Sequence, residues 1–198
     1  MLYLEKRRRE EIKKKIIIIV AILVVIAIIA GIICMNSKPK TNLKSIQSAD
    51  DLSALIDEVY KDQEGLLPSL NTQIIDAADA DSVKYVTGLE NGNDLQYIAV
   101  SEPMMSSQAY SFILAKVKDG VDANSIAKSM TEQINTNKWI CVSAEKLYAT
   151  SSGDVVCLVM SSEKMAKPIY EKFKTLAGTV GEEYTKEEEL PELPEELY

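Results

Sequence analysis

The sequence predicts an α+β protein: a single N-terminal transmembrane helix, a small antiparallel sheet with helices packed on one face, and a disordered acidic tail. Three observations lead there. Residues Ile16 to Cys34 read IIIIVAILVVIAIIAGIIC, without a charge, an amide or a hydroxyl. Strand-like runs then come in pairs joined by tight turn signals, between segments of helical periodicity, which implies antiparallel pairing. From Gly181 the chain becomes GEEYTKEEELPELPEELY, with eight glutamates against one lysine and prolines at 191 and 194. Low hydrophobicity and self-repulsion predict disorder there.

The apolar run divides the chain. A nineteen-residue helix spans roughly 28 Å, about one bilayer core. Only a helix satisfies its own backbone in lipid, so the Ile and Val content does not argue for a strand. The expected segments are a cytoplasmic basic tail (1–15), the anchor (16–34), a polar stem (35–47), an extracytoplasmic α+β domain (48–180) and the acidic tail (181–198). Residues 1–15 hold seven basic side chains, against Lys38, Lys40 and Lys44 beyond the run. That bias places the N-terminus in the cytoplasm and exports the rest. A cleaved signal peptide is the rival, but the run exceeds the usual apolar core of such peptides. Its outer end also lacks a small-x-small site, since Ile28 precedes Ala30 and Ile29 precedes Gly31. Ile33 is too bulky for lipoprotein processing at Cys34. Ala27 and Gly31 form a small-xxx-small pair, which is common in such helices without any role in association.

Composition excludes several functions. The chain carries 22 basic and 30 acidic residues, and the part beyond the anchor holds 15 against 27, a net −12. So acidic a surface repels nucleic acid and anionic headgroups, and neither is expected as a ligand. Histidine is absent, which removes His-based triads and the commonest zinc ligand. No cofactor or metal is expected. The run at Asp76, Asp79 and Asp81 suggests calcium, but the alternating ligands, central glycine and closing glutamate of an EF-hand are missing. A solvated acidic loop is the better reading.

The soluble elements follow in order. Ser48 offers an N-cap with Asp51 three residues on, and Leu52, Leu55, Ile56, Val59 and Tyr60 recur at helical spacing. Residues 66–94 are ambiguous, with a short helix around Val83, Tyr85 and Val86 ending near Gly88. Leu95 to Glu102 reads as a strand halted by Pro103, and Tyr110 to Lys118 as its partner. Asp122 caps a helix through about Asn137, with Ile126, Met130 and Ile134 on one face. Trp139 to Thr150 is a less regular extended stretch. Val155 to Met160 is apolar on both faces and reads as the central strand. Met165, Ile169, Phe173 and Leu176 mark a last helix, which Pro168 either begins or kinks.

Tyr97, Pro103-Met104-Met105, the strand Phe112 to Gly120, Trp139 and the run Gly153 to Met160 together resemble a bacterial family known as domain of unknown function 4358. The resemblance covers roughly Leu52 to Leu176. It implies an exported, membrane-anchored or lipidated protein of Gram-positive bacteria with one α+β domain, and carries no catalytic residues. Ile33 departs from its lipidated members.

Two kinds of chemistry remain. Ser106 or Ser107 with Lys116 could form a nucleophile and base, but neither a G-x-S-x-G elbow nor S-x-x-K spacing is present, and strand lysines are mostly solvated. Glu102 and Glu145 could act on a glycosidic bond, though nothing in the sequence sets their separation. Met104 and Met105, with Tyr97 and Tyr110, either line an apolar groove or pack under a loop. The residues singled out for partner binding are Pro103, Met104, Met105, Ser106 and Ser107. A proline that cannot donate to a ladder suggests that its strand lies at or near a sheet edge, with backbone groups free to pair.

The sequence therefore points to a membrane-anchored, non-catalytic binding or scaffold module at the bacterial cell envelope, with a protein or cell-wall partner. The alternative is a small extracytoplasmic hydrolase using serine or carboxylates. A hairpin turning at Ser152-Gly153 would set Cys157 opposite about Tyr148, by antiparallel register. Cys141 then lies beyond the roughly 7 Å that a disulfide spans, so both cysteines are expected free and buried.

Overall fold

In the computed structural model the described residues are 41–187, apart from Glu64 and Ser106. The expected basic tail, the anchor at 16–34, residues 35–40 of the stem and residues 188–198 lie outside them. Among the described residues no helix is long and apolar enough to cross a membrane.

The elements run α1 (Ala49–Tyr60), β1 (Leu70–Ile75), α2 (Ala80–Thr87), β2 (Leu95–Pro103), β3 (Ser111–Val117), α3 (Ala123–Gln133), β4 (Lys146–Ser152), β5 (Val155–Ser161), α4 (Glu163–Ala177) and β6 (Tyr184–Glu187). The strands form one antiparallel sheet in the order β1-β2-β3-β5-β4-β6. The fold is α+β as expected, with β5 inside the sheet between β3 and β4.

Helices cover both faces rather than one, because the central strands are apolar on both. Ile98, Val100, Ile113, Ala115, Val156 and Leu158 point to one side and pack with Val83 and Val86 of α2 and Ile126, Ala127 and Met130 of α3. Ala99, Phe112, Leu114, Cys157 and Val159 point to the other, against Leu52, Ile56 and Val59 of α1 and Ile169 and Phe173 of α4. A strand pair apolar on both sides leaves one row of side chains in water unless a second layer covers it. Each fully buried aliphatic side chain contributes roughly 1.5–3 kcal/mol, which favours the three-layer arrangement.

Local chemistry accounts for the helix ends. Ser48 caps α1 in a capping box: its Oγ accepts from the Asp51 amide at 3.3 Å, and the Asp51 carboxylate accepts from the Ser48 amide at 2.8 Å. Asp79, from the acidic loop, caps α2 through the Ser82 amide. Gly88 closes α2 in the left-handed region with φ +81°. Pro168 neither begins α4 nor breaks it. The helix starts at Glu163, five residues earlier, and runs through it.

Three expectations are corrected. Residues 41–47 are not a detached stem: Ile46 is buried, the Asn42 amide donates to the Ala177 carbonyl at 2.9 Å, and the Ser152 hydroxyl bonds Thr41. The acidic tail is not disordered throughout. Residues 184–187 pair with β4, and the Gly181 amide donates to the Ser151 carbonyl. A bare peptide there has few apolar side chains, but an unpaired β4 offers it a ladder. Finally, β2 is next to the sheet edge, as one of the two expected positions had it, but not on it, so its backbone groups are not free to pair. It lies between β1 and β3, and Pro103 is its last residue, opposite Leu70, where the ladder ends.

Both cysteines are free, but only Cys157 is buried. Cys141 is exposed, with φ +61°. Cys157 faces Thr150 rather than Tyr148, because the hairpin turns on Gly153 and Asp154, with Gly153 at φ +63°.

Candidate functional site

One end of the sheet gathers charge and exposed apolar side chains. The register of β2 on β3 sets Ser101 beside Phe112, so the next residues along, Glu102 and Ser111, meet as the ladder closes. The Ser111 hydroxyl donates to Glu102 Oε1 at 2.7 Å. Lys138, from the segment after α3, places its Nζ 2.6 Å from the same oxygen and 3.3 Å from Ser111 Oγ. Its ammonium also lies over two rings, with Nζ 4.9 Å from the Tyr85 centroid and 5.4 Å from that of Trp139. The Lys138 side chain is only 2% exposed, against 18% for Glu102.

Burial pushes the Lys138 ammonium below the ordinary lysine value, while the Glu102 carboxylate pulls it back up. This pair is a clamp rather than a catalyst. A serine beside a lysine could in principle serve as nucleophile and base, but Ser111 is fully buried and its proton is directed at Glu102. A carboxylate at 2.6 Å favours the protonated lysine, which cannot accept that proton. What the clamp does is tie together the end of β2, the segment after α3 and, through Tyr85, α2.

The clamp is rimmed by exposed apolar side chains. Met104 is 81% exposed, Met105 68%, Ile140 69% and Tyr85 53%. Met104 and Ile140 each lie two residues along the chain from a member of the ion pair, within about 7 Å of chain reach. The core-packing reading of the methionines is thereby overturned. Of the other residues singled out, Pro103 is half-buried and Ser107 exposed, while Ser106 lies outside the described residues.

The other sequence candidates are not brought together. Lys116 lies five residues along β3 from Ser111, toward the opposite end of the sheet. It is not solvated: it donates to the Ile46 carbonyl at 2.5 Å and pairs with Asp154 at 3.7 Å. Glu102 and Glu145 are separated by β3 and β5. Glu145 precedes β4, three strands from β2, and its carboxylate accepts from the Glu163 amide at 3.4 Å, whereas that of Glu102 is held by Lys138. A cavity of about 460 Å3 opens between residues 42–46 and α1, lined by Leu43, Lys44, Asp51, Leu55, Glu58 and Leu176. Asp51 in its wall is already engaged by the capping box.

Sequence reading missed Lys138, Ser111, Tyr85 and Ile140. A lone lysine before a tryptophan carries no motif, and only folding brings it to Glu102. No protein-family model, curated protein or solved structure matches the chain.

Proposed function

We propose that this chain is a single-pass membrane protein of the bacterial cell envelope, with a cytoplasmic N-terminus and an extracytoplasmic, non-catalytic binding module. The nineteen-residue apolar run and the seven-to-three basic bias support the topology. One observation carries the binding role: Met104, Met105, Ile140 and Tyr85 stand exposed around a buried ion pair. Apolar side chains held in water on a rigid frame suit a partner surface, and methionine adapts to the shape it meets. The partner is a protein or wall component that covers this rim.

Site-specific photo-crosslinking from exposed Ser107 in intact cells tests the reading. Replacing Met104 and Met105 with serine removes the partner adduct while leaving the melting temperature within about 2 °C, since exposed side chains contribute little to folding. An adduct retained at the parent level refutes the binding surface. Protease added to protoplasts removes the domain and spares an N-terminal tag. Digestion of the tag with survival of the domain refutes the topology.

A further inference from the structure

We propose that the outer edge of β1 accepts an extended, lysine- or arginine-rich peptide segment as an additional strand. The inference does not rest on the methionine surface and uses different residues. Its starting point is the contrast between the two edges of the sheet. Among the described residues, β1 and β6 each pair on one side only. Edge strands are ordinarily blunted by shortness, charge, proline or a bulge. β6 is four residues long and carries Lys186 and Glu187. β1 has none of these features: Leu-Asn-Thr-Gln-Ile-Ile is uncharged, free of proline and pairs with β2 over six consecutive residues without a bulge.

An antiparallel strand directs the N–H and C=O groups of alternate residues to each side. About half of the β1 backbone groups therefore point outward in regular ladder order. Asn71, Gln73 and Ile74 are exposed along this strand. Ile74 pairs with Ala99, whose side chain lies on the α1 and α4 face. It is 50% exposed there, and offers an apolar contact to an aliphatic side chain on an incoming strand.

Charge selects the occupant. Residues 41–94, which hold α1, β1, α2 and their connections, contain eleven acids and three bases, a net −8. Residues 95–187 contain eleven acids and ten bases, a net −1. The acidic balance of the domain thus falls in the chain segment that carries β1, even though one of its acids, Asp62, already pairs with Lys172 of α4 at 3.4 Å. Two of the three lysines in the acidic half already pair with acids of their own, Lys61 with Glu58 and Lys84 with Glu90. A second copy docking edge to edge would bring two such halves together and repel, whereas a cationic strand is drawn in. Main-chain bonds would supply the affinity and alternate side chains the selectivity. The fitting partner is an extended segment in which basic and aliphatic residues alternate.

The test uses the full chain in non-ionic detergent and a fluorescent eight-residue peptide of alternating lysine and valine. Binding should weaken at least about tenfold when salt rises from about 50 mM to about 300 mM, as screening requires. It should weaken similarly when alternate peptide amides are N-methylated in one register but not in the other, because only one register faces β1. Asn71→Lys with Gln73→Lys, both at exposed positions, should weaken it at least about tenfold through repulsion. M104S/M105S should bind the peptide as the parent does. The proposal is overturned if a glutamate–valine peptide binds as tightly, or if neither methylated register differs from the parent peptide. It is also overturned if N71K/Q73K folds and binds normally, or if M104S/M105S alone abolishes binding. A parent dimer that N71K/Q73K dissociates would assign the edge to a second copy instead. If N71K/Q73K fails to fold, the methylated peptides decide the question on the parent chain.

Discussion

Replacing Glu102 with glutamine removes the carboxylate held 2.6 Å from Lys138 Nζ and leaves a cation that is 2% exposed. Two outcomes bound the cost. Lys138 can stay charged without a paired carboxylate, which for buried ion pairs costs about 3–5 kcal/mol. Otherwise it can give up its proton. From an ordinary value of 10.5, deprotonation at pH 7 costs about 4.8 kcal/mol at about 1.36 kcal/mol per pH unit. The variant should therefore lose about 3–5 kcal/mol, part of it offset by the Tyr85 and Trp139 rings. Lys138→Met should cost less, because the stranded Glu102 is 18% exposed and still accepts from Ser111. Adding Lys138→Met to Glu102→Gln should recover at least about 1 kcal/mol, the sign expected when a stranded charge is removed. Urea unfolding followed by the single tryptophan reads this directly, because Trp139 flanks the ammonium. The sign of the pH response is also set. Burial holds the folded Lys138 below 10.5, so between its folded value and 10.5 the unfolded chain binds more protons and stability rises with pH. Losing Glu102 removes the influence that raises the lysine, which extends that window downward. The glutamine variant should gain more stability than the parent between pH 7 and pH 9. A loss under about 1 kcal/mol, or a pH response equal to the parent's, would refute the clamp.

Three further outcomes follow from the geometry. Gly88→Ala should destabilise by at least about 2 kcal/mol in urea, because a Cβ at φ +81° would lie 2.4 Å from the Ile134 backbone nitrogen; a smaller loss would mean that α2 and the end of α3 can separate. Iodoacetamide under native conditions should label Cys141 but not Cys157, which is buried and whose thiol burial pushes well above its usual value; peptide mass spectrometry showing equal labelling, or a 141–157 link, would contradict the packing. Gly181→Ala should detach β6, since its Cβ would sit 2.0 Å from Asn124 Oδ1, the oxygen that accepts from Ser151 and from the Glu182 amide. Faster hydrogen exchange over residues 182–187 with the rest unchanged is the expected readout, and unaltered exchange would show that the close approach is not needed.

Local signals in the sequence were sufficient for much of this protein. The Ser48 capping box, the Asp122 cap, the turn glycines and the apolar periods of α1, α3, β3 and β5 each act over a few residues. Their physics is complete within a turn or a strand. What needed the tertiary structure was every feature set by distant partners. β1 lacks an alternating pattern and exists because β2 offers it a ladder, and β6 forms from a glutamate-rich stretch because β4 has an unpaired side. Helices lie on both faces because two apolar rows leave the central strands, which composition alone does not assign to separate layers. Methionines 104 and 105 read as core packing under a loop from sequence, and only the placement of their neighbours shows them exposed. The Glu102–Lys138 clamp joins residues 36 apart in the chain, neither of which carries a motif. Periodicity reports which side of an element is apolar, but the sequence separation of a contact hides which elements meet there, and that choice is made only when the whole core closes.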